Sequence, residues 1–377
     1  MQDKVRADKI VFGAVWIFLL CYFMMLFDFP NVLTILFGAV ICLILFAKQK
    51  KFRLDVGVCL LALTIASYFI IVYGMPRAFT MSLPYVGIII YVLAHYLVCE
   101  IKAGEGAERK IILLIVAMVA GCTIHGILNS YCFLDGQLQD NNVRLWQDFW
   151  IDAYIPGTWQ VVYFLPVLAM VFPAIAYFKE RKLANTAMIL SALFFVYISM
   201  ISQSRTSIII LPVVFCAQVF LYVLLERERL IKKLSNRNVK IAGAVIVLAL
   251  IAGVILLLKS PLGQSFIAIM DRDGGIFNNI RFKFQRHALK QLFLYPMGGN
   301  QMDFLGYPHA HNTWLDIADT AGLIPFFSFA AYTVVIVYEL IRWLFKKEIS
   351  TERKLITAGL FGAFFLYNTV ERGFGGS

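Results

Sequence analysis

Two histidines one residue apart, His309 and His311, stand with Asn312 in the run Pro308 to Asp316, shortly before an apolar stretch that opens near Gly322. Imidazole exchanges protons near neutral pH, so a histidine placed there suits general base or acid work. The pair could also offer two metal ligands, but no nearby cysteine or glutamate completes a set, and the helical register of Asp316 and Asp319 is open. Hydrogen bonding to helix termini is the plain structural alternative. Upstream, the run Asn279 to Lys290 gathers Arg281, Lys283, Arg286 and Lys290. Read as a short amphipathic helix stopped near Pro296, Gly298 and Gly299, it puts Arg281 and Gln285 on one face and Arg286 and Lys290 on another. Phe282, Phe284 and Leu289 can then dip toward a membrane surface. The planar arginine fork pairs bidentately with phosphate oxygens, which makes a phosphate or diphosphate site the sharper reading; an interfacial helix on anionic headgroups is the plainer one.

A third cation, Arg205, follows Ser202-Gln203-Ser204 and directly precedes an apolar run through Leu211. An arginine this tightly flanked by apolar sequence is unfavourable unless it is paired or faces a wet cavity, so it reads as functional, with snorkelling to headgroups as the alternative.

The elements that must position these residues follow from composition. The 377 residues are 60% apolar and 15% charged, with mean hydropathy +0.77, whereas soluble domains average about 25% charged. Such a chain would aggregate in water. Apolar runs repeat at the length a helix needs to cross a hydrocarbon core about 30 Å thick. Strands of alternating polarity are missing, so the expected fold is all-α, a polytopic membrane protein rather than a barrel. Eleven spans are expected: 10–27, 31–47, 55–74, 79–99, 111–133, 160–178, 184–202, 207–225, 241–258, 322–345 and 355–370. The first lacks a small-residue cleavage pattern and is followed at once by the second, so it reads as an anchor rather than a removable signal. With no fixed-period repeat and no soluble segment, residues 1–377 read as a single integral membrane domain with one elaborated loop at 259–312.

Short loops rich in lysine and arginine stay in the cytoplasm. The links alternate clearly, and 24 of the 34 basic residues fall on one side, which also holds the amino terminus. Of the ten on the outer side, Lys259, Arg272, Arg281, Lys283, Arg286 and Lys290 all lie in the 259–312 loop; Arg77, Arg144, Arg205 and Arg372 are single. The formal net charge of +11 is mostly this inward bias and favours anionic lipid headgroups, not nucleic acid. The seven cysteines all fall inside expected spans without CxxC spacing, which supports neither a disulfide framework nor a zinc site. Trp146, Phe149, Trp150, Tyr154 and Trp159 crowd a second outward loop and read as an interfacial belt or a sugar-stacking platform, with Asp148 or Asp152 offering hydroxyl contacts. His95 and His125 lie inside spans and read as packing residues.

Taken in order, three landmarks resemble the O-antigen ligase and polymerase family, bacterial membrane glycosyltransferases of the C type. They are Ser204-Arg205 at the mouth of a span, Arg281 followed by Ala288-Leu289 and the Pro296 to Gly299 segment, and His311-Asn312 with Gly322 ten residues past the asparagine. The sequence departs from the family pattern in three places. Gln285 stands where a tryptophan is usual, Gln301 replaces a glycine, and Pro325 follows Gly322 by three. The family commonly has about twelve spans; eleven are read here, the last ending just before Glu371-Arg372-Gly373, and a twelfth is expected to be absent or beyond Ser377.

The resemblance implies transfer of a glycan from an undecaprenyl-diphosphate-linked donor to an acceptor glycan or lipid A core, on the outer face of the bacterial inner membrane. It implies Arg205 and Arg281 stabilising the departing diphosphate without a metal or other cofactor, Lys283 or Arg286 assisting, and His311 as base toward the acceptor hydroxyl. Asn312 would orient the histidine or bind sugar, with His309 and Arg77 as weaker substrate contacts. Membrane lipids, a flippase and a chain-length regulator are the further partners such an enzyme implies. The alternative is a polytopic transporter or flippase for a lipid-linked or anionic substrate, which would carry paired intramembrane charges or broken helices at matching positions in two halves. Charges inside these spans are nearly absent.

Overall fold

The computed structural model describes residues 2–26, 33–49, 55–73, 107–140, 145–150, 154–177, 182–202, 204–234, isolated positions between 259 and 271, and 280–371. Within these, the chain is mostly helical, with one small hairpin and a non-helical segment at 292–312. The helices are α1 Gln2–Phe23, α2 Leu33–Gln49, α3 Val56–Tyr73, α4 Ala107–Asp140, α5 Gly157–Tyr177, α6 Lys182–Ile201, α7 Arg205–Leu225 and α8 Arg227–Leu234. They continue with α9 Ile280–Gln291, α10 Thr313–Ala321, α11 Leu323–Leu344 and α12 Thr351–Val370. Strands β1 Leu145–Gln147 and β2 Tyr154–Pro156 pair antiparallel, Trp146 opposite Ile155.

Among the described residues a helix stands at each expected span; the expected spans 79–99 and 241–258, and with them Arg77, lie outside. Five described segments are long and apolar enough to cross a membrane: Arg109–Asp135, Gln160–Tyr177, Lys182–Ile201, Ile208–Leu225 and Leu323–Leu344. Leu190, Leu193, Phe220 and Val334 are largely exposed on these helices. In water such surface would drive association; beside lipid it is simply solvated.

Without a hydrophobic force between helices inside a bilayer, packing and interhelical hydrogen bonds hold the bundle together. α5 is its centre, touching α4, α6, α7 and α12. Val161, Leu165, Ala169, Ile210, Val214, Ile356, Leu360 and Ala363 close one core there. Pro173 sits inside α5, and having no N–H it leaves the Ala169 carbonyl without its intrahelical donor. Gln218 of α7 replaces that donor from outside, its Nε2 reaching Ala169 O at 2.8 Å and Leu355 O of α12 at 2.9 Å. Gly359 makes this possible, because a side chain there would collide with the Gln218 amide.

A second unit joins α3, α10 and α11. Thr64 Oγ1 donates to Ser328 Oγ at 2.9 Å, and Tyr68 and Val72 pack on Ile317 and Ala321. α10 is therefore a short, almost fully buried helix rather than a surface cap.

Candidate functional site

The cationic run, read from the sequence as Asn279 to Lys290, folds as α9, Ile280–Gln291. Its buried side is Phe284 and Ala288, which enter a core with Leu292, Met302, Phe304, Ala310, Leu315 and Ala318. Phe282 and Leu289 stay exposed, so the expectation that Phe284 dips toward the membrane surface with them is corrected: its ring lies 4.4 Å from Tyr307 inside the loop. The loop has a core of its own, which fixes α9 against α10.

α9 turns Arg281 and Gln285 to the same partner, the end of α12. Arg281 Nη1 donates to Val370 O at 2.8 Å and to Glu371 Oε1 at 2.5 Å. One turn on, Gln285 Nε2 donates to Thr369 O at 2.9 Å and to His311 O at 3.1 Å. Gln285, a departure from the family pattern, thus ties the cationic helix both to α12 and to the histidine loop.

His311 sits in left-handed backbone, φ 54°, a conformation unfavourable for any side chain but glycine and common where geometry is held by its surroundings. Asp316 holds it. Its carboxylate accepts the amides on either side of the histidine, Ala310 N at 2.7 Å and Asn312 N at 3.1 Å. Asn312 then caps α10, its side chain accepting from Leu315 N at 3.2 Å while its Nδ2 donates to Thr369 O at 3.2 Å. In consequence the His311 ring is turned toward α12, with Nδ1 3.5 Å from Glu371 Oε2. The His309 ring lies 4.2 Å from it, centroid to centroid.

The far end of α10 explains the remaining glycines. Gly322 has φ 84°, and its Cα approaches the Pro296 carbonyl so closely that no side chain would fit. Leu323 N donates to Pro296 O at 2.9 Å, Gly299 N to Thr320 O at 3.1 Å and Asn300 N to Asp319 O at 2.9 Å. The Pro296 to Gly299 segment and Gly322 are thus one backbone clamp that sets where α10, and with it His311, begins and ends.

Glu371 is the residue that sequence reasoning missed. It is 1% exposed and draws together three separate elements: Arg281 from α9, His311 from the α10 entrance, and Thr206 of α7, whose Oγ1 donates to Glu371 Oε1 at 3.3 Å. Thr313 Oγ1 donates to its backbone carbonyl at 3.3 Å. Burial pushes the Glu371 carboxyl up, but the hydrogen bond with His311 and the charge of Arg281 outweigh burial and hold it below the ordinary glutamate value. The signal available in the sequence was a carboxylate at the end of an apolar span in a chain whose spans are otherwise nearly free of charge.

Arg205 is the first residue of α7, next to Thr206, so the cation stands one position from a Glu371 contact. It is half-buried. Lys283 and Arg286 are exposed on α9, away from this cluster. Among the described residues no group of three or more His, Cys, Asp or Glu could hold a metal ion.

The aromatic loop folds otherwise than a sugar platform requires. Trp146 is fully buried, stacked on Phe133 at 4.3 Å. Asp148 is occupied by protein: His125 Nε2 lies 3.2 Å away, Asn129 Nδ2 3.1 Å, and Trp150 N donates at 2.8 Å. Burial raises its carboxyl, and the bonds from His125 and the Trp150 amide more than reverse that, leaving it lowered. With Gln160 Oε1 accepting from Asn129 at 2.9 Å and Trp150 Nε1 donating to His125 Nδ1 at 3.1 Å, the cluster fastens the hairpin to α4 and α5. His125 is a satisfied structural histidine, as its position in a span led us to expect.

Comparison with known proteins adds no assignment: no family model matches this chain and no curated protein matches it.

Proposed function

We propose that this protein is a multi-pass glycosyltransferase of the bacterial inner membrane, moving a glycan from an undecaprenyl-diphosphate-linked donor to an acceptor sugar at its outer face. The observation that carries the reading is the meeting of Arg281, His311 and the Arg205-Thr206 helix start on one buried carboxylate at one end of the bundle. A cationic, partly open cluster beside a histidine is what the departure of a diphosphate requires. The charge bias of the links supports an inward amino terminus and an outer position for the cluster, in the loop whose six basic residues break the inside-positive pattern.

In this mechanism the acceptor hydroxyl oxygen bonds to the anomeric carbon of the donor. The bond from that carbon to the diphosphate oxygen breaks, and its electrons leave with the lipid diphosphate. Arg281 and Arg205 meet the developing charge, and the hydroxyl proton passes to His311 Nε2. Direct displacement inverts the anomeric centre. Asn312 positions the histidine through the cap of α10, and Arg286 and Lys283 attract the anionic carrier from their exposed face. Arg77 and His309 are assigned supporting contacts with substrate.

The test is reconstitution in vesicles with a lipid-linked repeat unit, with and without a lipid A core acceptor, followed by gel separation of products. A ladder on the carrier identifies a polymerase; transfer to the core identifies a ligase. Carrier that changes leaflet with its glycan bond intact would instead support the transporter reading.

A further inference from the structure

Glu371 is a nearly buried charge: its side chain is 2% exposed, while those of Arg281 and His311 are each 20% exposed. A buried carboxylate kept for packing alone is a poor choice, since apolar residues of like volume serve as well or better. Its two oxygens are divided between two partners. Oε1 takes Arg281 Nη1 and the Thr206 hydroxyl; Oε2 faces His311 Nδ1. His311 Nδ1 is buried and makes no closer hydrogen bond among the described residues; a hydrogen on Nδ1 makes its 3.5 Å contact with Oε2 attractive and leaves the lone pair on Nε2. The remainder of the setting resists rotation of either partner: Asp316 brackets the His311 backbone, Gln285 holds its carbonyl, and Val370 O shares Arg281 Nη1.

We propose that Glu371 is the positioning residue of this site, holding His311 in the tautomer that presents Nε2 to the acceptor hydroxyl and pinning Arg281 where the diphosphate departs. The proposal rests on the glycan-transfer reading and adds a fourth member to it. When the hydroxyl proton reaches Nε2, the imidazolium formed is bonded through Nδ1 to a carboxylate already in place, and Glu371 itself takes no proton. This is the division of labour by which a buried carboxylate assists histidine in acyl transfer. The charged and titratable groups around the pair are Arg281 on α9, His309 beside the ring, Tyr367 one turn back on α12, and Arg205 at the start of α7.

The test compares Glu371→Gln and Glu371→Asp with the native protein in lipid nanodiscs. The amide keeps the shape and can still accept from Arg281, but presents no charge to the histidine. For Glu371→Gln, kcat is expected to fall between about tenfold and 10⁴-fold. KM for the lipid-linked donor should stay within threefold. Glu371→Asp should recover part of the rate. A Glu371→Gln protein with native kcat would overturn the proposal, as would a loss confined to KM. Nitrogen-15 NMR of histidine-labelled protein reads the same relation without turnover, the His311 signal being assigned by its disappearance in His311→Gln. Hydrogen on Nδ1 in the native protein, redistributed toward Nε2 in Glu371→Gln, supports the positioning role even if no glycan transfer is found, in which case the functional reading alone has failed. Hydrogen on Nε2 in the native protein sinks it.

Discussion

The guanidinium of Arg281 and the carboxylate of Glu371 meet at 2.5 Å across a sequence separation of 90. Helix α9 and the end of α12 are held together by this contact. Truncating Arg281 to alanine leaves a buried carboxylate without its cation, a change that costs on the order of 3 to 5 kcal/mol. We expect Arg281→Ala to lose glycan transfer and to unfold earlier in detergent, and the Arg281→Ala, Glu371→Ala double variant to recover most of the stability but none of the activity. If Arg281→Ala unfolds at the native temperature, the pair is not structural.

Acid should act through the same carboxylate. Because the folded value of Glu371 is depressed, its contribution to stability is complete above the ordinary glutamate range, about 4.3. It is lost as pH falls through the lower, folded value, when the native state too must take up the proton. Melting curves between pH 7 and pH 3 should show the native protein losing stability in acid more steeply than Glu371→Gln. Parallel curves would remove Glu371 from the acid response.

His311 is expected to be dispensable for folding and required for transfer. Its ring is one-fifth exposed, and its backbone is held by Asp316 and Gln285 rather than by the ring itself. His311→Gln should therefore accumulate in the membrane at native level while reconstituted vesicles yield no product ladder. By contrast, Asp316→Ala should impair both yield and turnover, since the left-handed turn loses its brace. A normal ladder from His311→Gln would remove the histidine from the chemistry.

The clamp at Gly322 offers a purely geometric test. With φ at 84° and the Pro296 carbonyl against its Cα, Gly322→Ala combines strain of about 1 to 3 kcal/mol with a collision. The Pro296 to Gly299 segment must move, and the start of α10 with it. Limited proteolysis should cut this loop faster in the variant, and turnover should fall although no group proposed to touch substrate has changed. Unchanged proteolysis and turnover would mean that the clamp does not set the site.

Within the bundle, Gln218→Leu should leave the Ala169 carbonyl without a donor. Interhelical hydrogen bonds in membranes are worth about 0.6 to 2 kcal/mol, so a modest fall in thermal stability is expected. Gly359→Leu should be more damaging, because its side chain displaces the Gln218 amide and parts α12 from α5 and α7. A native melting temperature for both variants would leave the Pro173 gap without a structural consequence.

Much of this was legible without coordinates because it depends on local pattern. Apolar runs long enough to cross a bilayer give helices by themselves, since a backbone without water can satisfy its polar groups only internally. The spacing of Arg281 and Gln285 placed them on one face of α9, and both do reach the end of α12. The interval from Asn312 to Gly322 was legible only as a family landmark; that it holds one short buried helix, capped by Asn312 and stopped at Gly322, is visible only in the structure. Trp146 and Phe284 were misjudged for the opposite reason: aromatic residues suit an interface and a core equally well, and their neighbours decide between them.

The cationic loop, the histidine and the membrane-spanning pattern of the helices were thus determined by the sequence alone, because charge, hydropathy and helical period are properties of neighbouring residues. The tertiary structure alone decided which carboxylate serves them. Glu371 becomes part of the site when α12 packs against α5 and α7, carrying the residue just past its end to Thr206, Arg281 and His311. An ion pair between distant residues leaves no spacing to read, since it is made by the packing of helices and not by the chain between them.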